Sequence, residues 1–133
     1  MVCNSCMPEN QKYHISIDAE AMFVPEQSDE AQDRYVFAYR IRITNTGQAP
    51  AKLISRHWII TDANQQVQEV RGLGVVGEQP HLQPGEHFEY TSGAALQTSV
   101  GTMKGSYQMV ADDGTHFEAP IAEFVLSTPR VLH

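Results

Sequence analysis

The chain has 133 residues, of which 41% are hydrophobic and 19% are charged, a composition typical of one folded domain and not of a disordered protein. Its net charge of −7 argues against a general nucleic-acid binder, whose affinity depends on basic side chains that neutralise phosphates. The sequence has no long apolar run and no signal-peptide pattern, so we expect a cytoplasmic protein without a membrane partner.

The two ends of the chain are predicted to lie outside the folded domain. Residues 1–10 contain the only cysteines, Cys3 and Cys6, in a C-x-x-C pair. One such pair cannot supply the four ligands of a structural zinc site, and Pro8 soon after it disfavours a thioredoxin-like motif. We therefore predict a flexible tail at 1–10, one domain at 11–128 and a tail at 129–133.

Alternation of apolar and polar residues is the dominant pattern, and it predicts strands with one buried face. The clearest example is 34–45, where the tyrosines and isoleucines share one face while Arg40 and Arg42 share the other. The acidic segment 25–34 has no apolar stripe and is predicted to be a loop or a short helical turn. The predicted strands cover residues 13–23, 34–45, 53–62, 65–70, 87–91, 103–111 and 115–126.

Turn residues separate these strands. Pro84–Gly85 and Asp113–Gly114 are strong turn signals, and Ser92–Gly93 is predicted to end the strand 87–91. About seven short strands, without any helical run of twelve residues, predict an all-β sandwich of the immunoglobulin-like or fibronectin type III-like kind. Trp58 on the third strand is expected to be buried in its core.

Six blocks of the sequence, taken together and in order, resemble the ApaG family of small bacterial proteins, also called CorD. The blocks are YVFAYRIRITN (35–45), LISRHWIITD (53–62), VRGLGVVGEQP (70–80), LQPGEHFEYTSG (82–93), GTMKGSYQMV (101–110) and FEAPIAEFVL (117–126). Residues 1–10 lie outside these blocks, so nothing is carried over to them. The resemblance implies a fibronectin type III-like or immunoglobulin-like sandwich.

The resemblance implies no established enzymatic activity. The family is linked to cobalt resistance, to magnesium efflux and to genomic neighbourhoods with a diadenosine tetraphosphate hydrolase, and related eukaryotic domains look like protein-interaction modules. We therefore expect a non-catalytic binding module, a monomer or weak homodimer, with an unidentified protein partner. Six of the nine basic residues lie between Arg34 and Arg71, which predicts either a local cationic patch or ordinary solvated strand faces. Arg40 and Arg42 are the candidate partner-binding residues.

Gly72, Gly74 and Gly77 have the G-x-G-x-x-G spacing of a dinucleotide-binding loop. Such a loop needs a helix that begins at its third glycine, and the prolines at 80 and 84 exclude one, so no cofactor is expected. The glycines then serve a tight connection, or their bare N–H groups bind a nucleotide polyphosphate or pyrophosphate. Arg71 and Arg56 would add positive charge to that anion site.

Metal ligands and catalytic groups are not predicted. The six histidines lack the spacing of a metal motif, and no G-x-S-x-G is present. Asp112, Asp113 and His116 cluster at a predicted hairpin, where turn geometry alone favours aspartate. The family link to cobalt is therefore expected to be indirect, for example through a regulated transporter.

Overall fold

The computed structural model describes residues 12–129, in which β-strands dominate. The strands are β1 (Ile15–Phe23), β2 (Tyr35–Asn45), β3 (Ala51–Asp62), β4 (Val67–Leu73), β5 (His81–Leu82), β6 (His87–Leu96), β7 (Val100–Ala111) and β8 (His116–Ser127). Two 3₁₀ turns, Pro25–Gln27 and Glu30–Gln32, connect β1 to β2. The predicted tail 1–10, with Cys3 and Cys6, and residues 130–133 lie outside the described residues. No helix within 12–129 has the length and apolar character needed to cross a bilayer.

The strands form two antiparallel sheets. One has the order β1–β2–β6; the other has the order β4–β3–β7–β8, and β5 pairs with the start of β3. This arrangement confirms the predicted all-β sandwich. The described part of the chain has eight strands instead of about seven because the two-residue strand β5 joins the larger sheet.

The core lies between the two sheets and is built from the alternating residues of both. Trp58 on β3 is 2% exposed, which confirms its predicted burial. Its indole ring meets the rings of Tyr39, Tyr107 and Phe124 at steep angles, with centroids 5.4, 6.3 and 6.0 Å away. Such edge-on contacts place the positive edge of one ring against the negative face of another, which stabilises the junction of the sheets.

Several strand boundaries and the register of β3 differ from the prediction. The strand predicted to end at Ser92–Gly93 continues to Leu96, because residues 94–96 pair with the start of β2. The strand predicted at 65–70 runs from Val67 to Leu73 and therefore includes Gly72. A β-bulge between Leu53 and Ser55 shifts the register of β3. As a result, the odd-numbered Leu53 and the even-numbered Trp58 both face the core.

Candidate functional site

The glycine stretch forms the end of β4 and a tight hairpin after it. Val75 and Glu78 exchange two backbone hydrogen bonds of 2.8 and 2.9 Å. Between them Val76 and Gly77 both have positive φ, 44° and 80°, which is the signature of a type I′ turn. No helix follows Gly77, and the chain continues to β5. The third glycine therefore serves a turn that disfavours most side chains, not a helix start.

Gly72 makes room for the guanidinium of Arg56. The two residues are opposite each other in the β3–β4 ladder, and a Cβ at position 72 would lie 2.8 Å from Nη2 of Arg56. Arg56 Nη1 donates hydrogen bonds to the carbonyl oxygens of Leu73, at 3.0 Å, and Gly74, at 2.8 Å. The carbonyl oxygens of the loop thus accept hydrogen bonds from Arg56, and these bonds hold the loop against β3.

Three N–H groups of the loop after β4 are engaged by backbone carbonyl oxygens. Gly74 donates to Ile54 on β3, while Val75 and Glu78 donate to each other. Within the turn, the N–H groups of Val76 and Gly77 have no acceptor among residues 12–129. These two exposed groups are what the predicted anion site would offer a ligand.

The two arginines of the predicted anion site are separated by the plane of the sheet. Arg56 lies on the inner face and contacts the loop. Arg71 is opposite His57 in the ladder and therefore points to the outer face, where its guanidinium lies 3.7 Å from the Glu69 carboxylate. The structure thus brings Arg56 to Gly72 and Gly74 and turns Arg71 away from them.

A pair of buried tyrosines lies beside Arg56, and the sequence pattern did not single it out. The hydroxyl oxygens of Tyr90 on β6 and Tyr107 on β7 are 2.5 Å apart and join the two sheets. Burial raises the pKa of both hydroxyls far above the ordinary value, and the positive charge of Arg56 opposes this rise. In the sequence both tyrosines are simply apolar members of an alternating pattern, so only the facing of the sheets reveals the pair.

Arg40 and Arg42 lie on the outer surface of the three-stranded sheet, each flanked by acidic residues of neighbouring strands. Arg40 Nη2 is 2.6 Å from Glu20 on β1, and both arginines lie 3.9 Å from Glu89 on β6. Asp18 is opposite Arg42. The carboxylates balance the arginines and produce a mixed-charge surface, which corresponds to the solvated strand face and not to the cationic patch among the two alternatives.

This surface continues into a flat apolar area. Met22 is 51% exposed and is opposite Ala38, which in turn is opposite Gly93 on β6. Because Ala38 and Gly93 carry little or no side chain, the Met22 side chain projects from the sheet beyond its two neighbours. We call Arg40, Arg42, Glu20, Glu89 and Met22 the arginine face; a depression of about 590 Å³ lies among its charged members.

The outer surface of the larger sheet carries a cluster of polar side chains around Ser106. The Ser106 hydroxyl accepts a hydrogen bond from Gln108 and lies 3.5 Å from Glu118. His57 is opposite Ser106, but its Nε2 has no hydrogen-bond partner among residues 12–129. In that same range, no three histidine, cysteine or acidic side chains come together in a way that could hold a metal ion.

Comparison with known proteins decides the family. A family model described as the ApaG domain matches residues 25–111. The chain belongs to the ApaG family. It is 65% identical over 127 residues to Protein ApaG from Dechloromonas aromatica, covering 96% of this chain and 100% of that protein. It is 68% identical over 121 residues to Protein ApaG from Chromobacterium violaceum, covering 91% and 96%.

Solved structures of relatives have the same fold. A crystal structure of an ApaA protein from Bordetella pertussis superposes with a TM-score of 0.88 at 60% identity, covering 91% of this chain and 98% of that chain. The names of these relatives in the ApaG family state no catalytic activity. The family therefore establishes the architecture and leaves the activity to be argued from the surface.

Proposed function

We propose that this member of the ApaG family is a non-catalytic, cytoplasmic protein-binding module that uses the arginine face. The observation that carries the proposal is the half-exposed Met22 on the same sheet face as Arg40 and Arg42, a face that no other element within residues 12–129 covers. Methionine and arginine are enriched in protein interfaces, and methionine adapts its shape to a partner. The arginine–carboxylate pairs are all half-exposed, so each is worth only about 0–1 kcal/mol and a partner can rearrange them at small cost.

A protein partner also agrees with the family link to cobalt resistance and magnesium efflux. A module that binds a transporter or its regulator would change metal flux without coordinating a metal ion. Under this proposal, the alternating charges of the arginine face select a partner with the complementary pattern. The partner would supply carboxylates opposite Arg40 and Arg42 and an apolar group against Met22.

The proposal is tested by crosslinking in the cytosol of the source cells. A photoreactive residue at position 22 should capture a specific protein, and Arg40→Gln/Arg42→Gln and Arg40→Glu/Arg42→Glu should abolish the capture. Lys52→Glu/Lys104→Glu is the matched control, since it makes the same charge change as the glutamate pair on exposed positions of the other sheet. Loss of capture in the control as well, or undiminished capture in both arginine variants, would contradict a role of the arginine face.

A second candidate function is binding of a phosphate-containing anion at the type I′ turn. Its support is the pair of adjacent N–H groups of Val76 and Gly77 that have no acceptor within residues 12–129. The engagement of Arg56 by Leu73 and Gly74 weakens this candidate relative to the first. Titration with pyrophosphate or a diadenosine polyphosphate should move the amide NMR signals of Val76 and Gly77 if the anion binds there; unchanged signals at millimolar ligand would exclude it.

A further inference from the structure

β4 is the edge strand of the larger sheet, and its free side is unusually open. Every residue from Val67 to Leu73 except the half-buried Gly72 is exposed. The opposite edge strand, β8, contains Pro120, which lacks an N–H group and so blunts strand pairing there. The sequence of β4 contains no proline, and its register with β3 is free of bulges. Among residues 12–129, no strand pairs with its free side.

The hydrogen bonds at the two ends of the β3–β4 ladder show which backbone groups face outward. Asp62 N–H donates to Gln66, and Gly74 N–H donates to Ile54. Hydrogen-bonded positions alternate in an antiparallel pair, so the even-numbered residues of β4 bond to β3. The backbone groups of the odd-numbered residues Val67, Glu69, Arg71 and Leu73 therefore point to the open side, where the Leu73 carbonyl oxygen already accepts one hydrogen bond from Arg56.

The side chains of these residues on one β4 strand are complementary to those on an antiparallel β4 strand of a second chain. In a two-fold antiparallel pairing centred on Val70, Glu69 is opposite Arg71 of a second chain, and Arg71 is opposite the second Glu69. The same register places Val67 opposite Leu73, two apolar residues that are 58% and 75% exposed in the single chain. On the inner face Gln68 is opposite Gly72, and Val70 meets Val70 of the second chain at the symmetry axis.

From this self-complementarity we propose that β4 pairs with β4 of a second copy of this chain to form a two-fold symmetric dimer. Each Glu69–Arg71 pair then exchanges backbone hydrogen bonds in both directions and also places opposite charges on the same sheet face. A slip by two residues would place Glu69 opposite Glu69, or Arg71 opposite Arg71. The repulsion between these like charges favours the register centred on Val70. The two sheets join into one continuous sheet through an isologous contact.

This dimer goes beyond the proposed protein-binding function and is independent of it. β4 lies in the larger sheet, whereas the arginine face lies on the other one. Failure of the dimer therefore leaves partner capture by the arginine face unaffected, and the reverse also holds. The contact is small, so a weak association is expected.

Charge exchange between Glu69 and Arg71 tests the pairing. Sedimentation equilibrium of the full chain, from about 10 µM to about 1 mM, should show a monomer–dimer equilibrium. Glu69→Arg or Arg71→Glu alone places like charges opposite each other and should weaken the dimer at least about tenfold. The double exchange Glu69→Arg/Arg71→Glu should restore it. An equimolar mixture of the two single variants should form a heterodimer, since one then carries two arginines and the other two glutamates.

Each outcome bears on the proposal. Recovery of association in the double variant and in the mixture supports β4 pairing in this register. A wild-type chain that stays monomeric at the highest concentration overturns the proposal. A dimer that both single variants form as strongly as wild type also overturns it, because that dimer uses another surface. Since both residues are exposed, circular dichroism should show an unchanged fold in every variant.

Discussion

The buried pair of Tyr90 and Tyr107 predicts that the protein loses stability in alkali. Tyr107 has no exposed surface, and the two hydroxyl oxygens are 2.5 Å apart. Burial raises the pKa of both hydroxyls, whereas in the unfolded chain they ionise near the ordinary pKa of about 10. The stabilising contribution is therefore complete below about pH 10 and is lost as the pH rises toward the folded-state values.

The size of this effect follows from proton linkage. Each tyrosine that stays protonated in the folded state lowers the free energy of unfolding by ~1.4 kcal/mol between neutral pH and about pH 11. The pair therefore costs the protein ~3 kcal/mol over this interval, a large share of the ~5–15 kcal/mol that stabilises a typical domain. The loss is steep because both hydroxyls stay protonated in the folded core while both ionise in the unfolded chain, so unfolding releases two protons.

Urea unfolding followed by Trp58 fluorescence measures this loss, because Trp58 is the only tryptophan. The free energy of unfolding is compared at about pH 8 and about pH 11 for wild type and for Tyr90→Phe/Tyr107→Phe. We expect the pH-dependent loss to be ~3 kcal/mol smaller in the double variant. Other ionising groups are the same in both proteins and cancel in this difference. Equal losses in the two proteins would refute the linkage argument.

Three further outcomes are expected. Val76→Asn should raise the free energy of unfolding by ~1 kcal/mol in urea titrations, since valine is strained at positive φ and Asn-Gly is preferred in a type I′ turn; no gain would contradict the turn assignment. Gly105→Ala should lower it by about 2 kcal/mol or more, because its Cβ would overlap the carbonyl oxygen of His57 and separate β3 from β7; an unchanged urea midpoint would show that the strands can separate freely. Tyr13→Phe should raise the pKa of Asp113 from about 2 toward its ordinary value, because the Tyr13 hydroxyl donates to that carboxylate at 2.5 Å. Carboxyl NMR signals followed against pH measure this pKa, and an unchanged value would contradict the role of Tyr13.

The sequence predicts the strands well where apolar residues alternate without interruption. Residues 34–45 alternate cleanly, so strand, buried face and outward arginines all follow from local pattern. Asp113–Gly114 likewise identifies the β7–β8 hairpin, where Gly114 has a φ of 91°. These features depend on residues close together in the chain, and such residues can be read without knowledge of the tertiary structure.

Other features depend on how separate strands align, and local pattern does not contain that information. The bulge after Leu53 is set by pairing with β7, and the extension of β6 beyond Gly93 is set by pairing with β2. The contact of Arg56 with Gly72 exists only because the β3–β4 register places them opposite each other. The balance of Arg40 and Arg42 by acidic neighbours also depends on pairing with β1 and β6.

The anchoring of the glycine hairpin by Arg56 has a consequence for the protein in alkaline solution. A guanidinium keeps its proton throughout the pH range in which tyrosines ionise, and the carbonyl oxygens that it binds do not titrate. At high pH the ionisation of the buried Tyr90 and Tyr107 hydroxyls therefore destabilises the core first. The hydrogen bonds from Arg56 to the hairpin are unchanged at that pH. The hairpin should remain attached to β3 until the two sheets part.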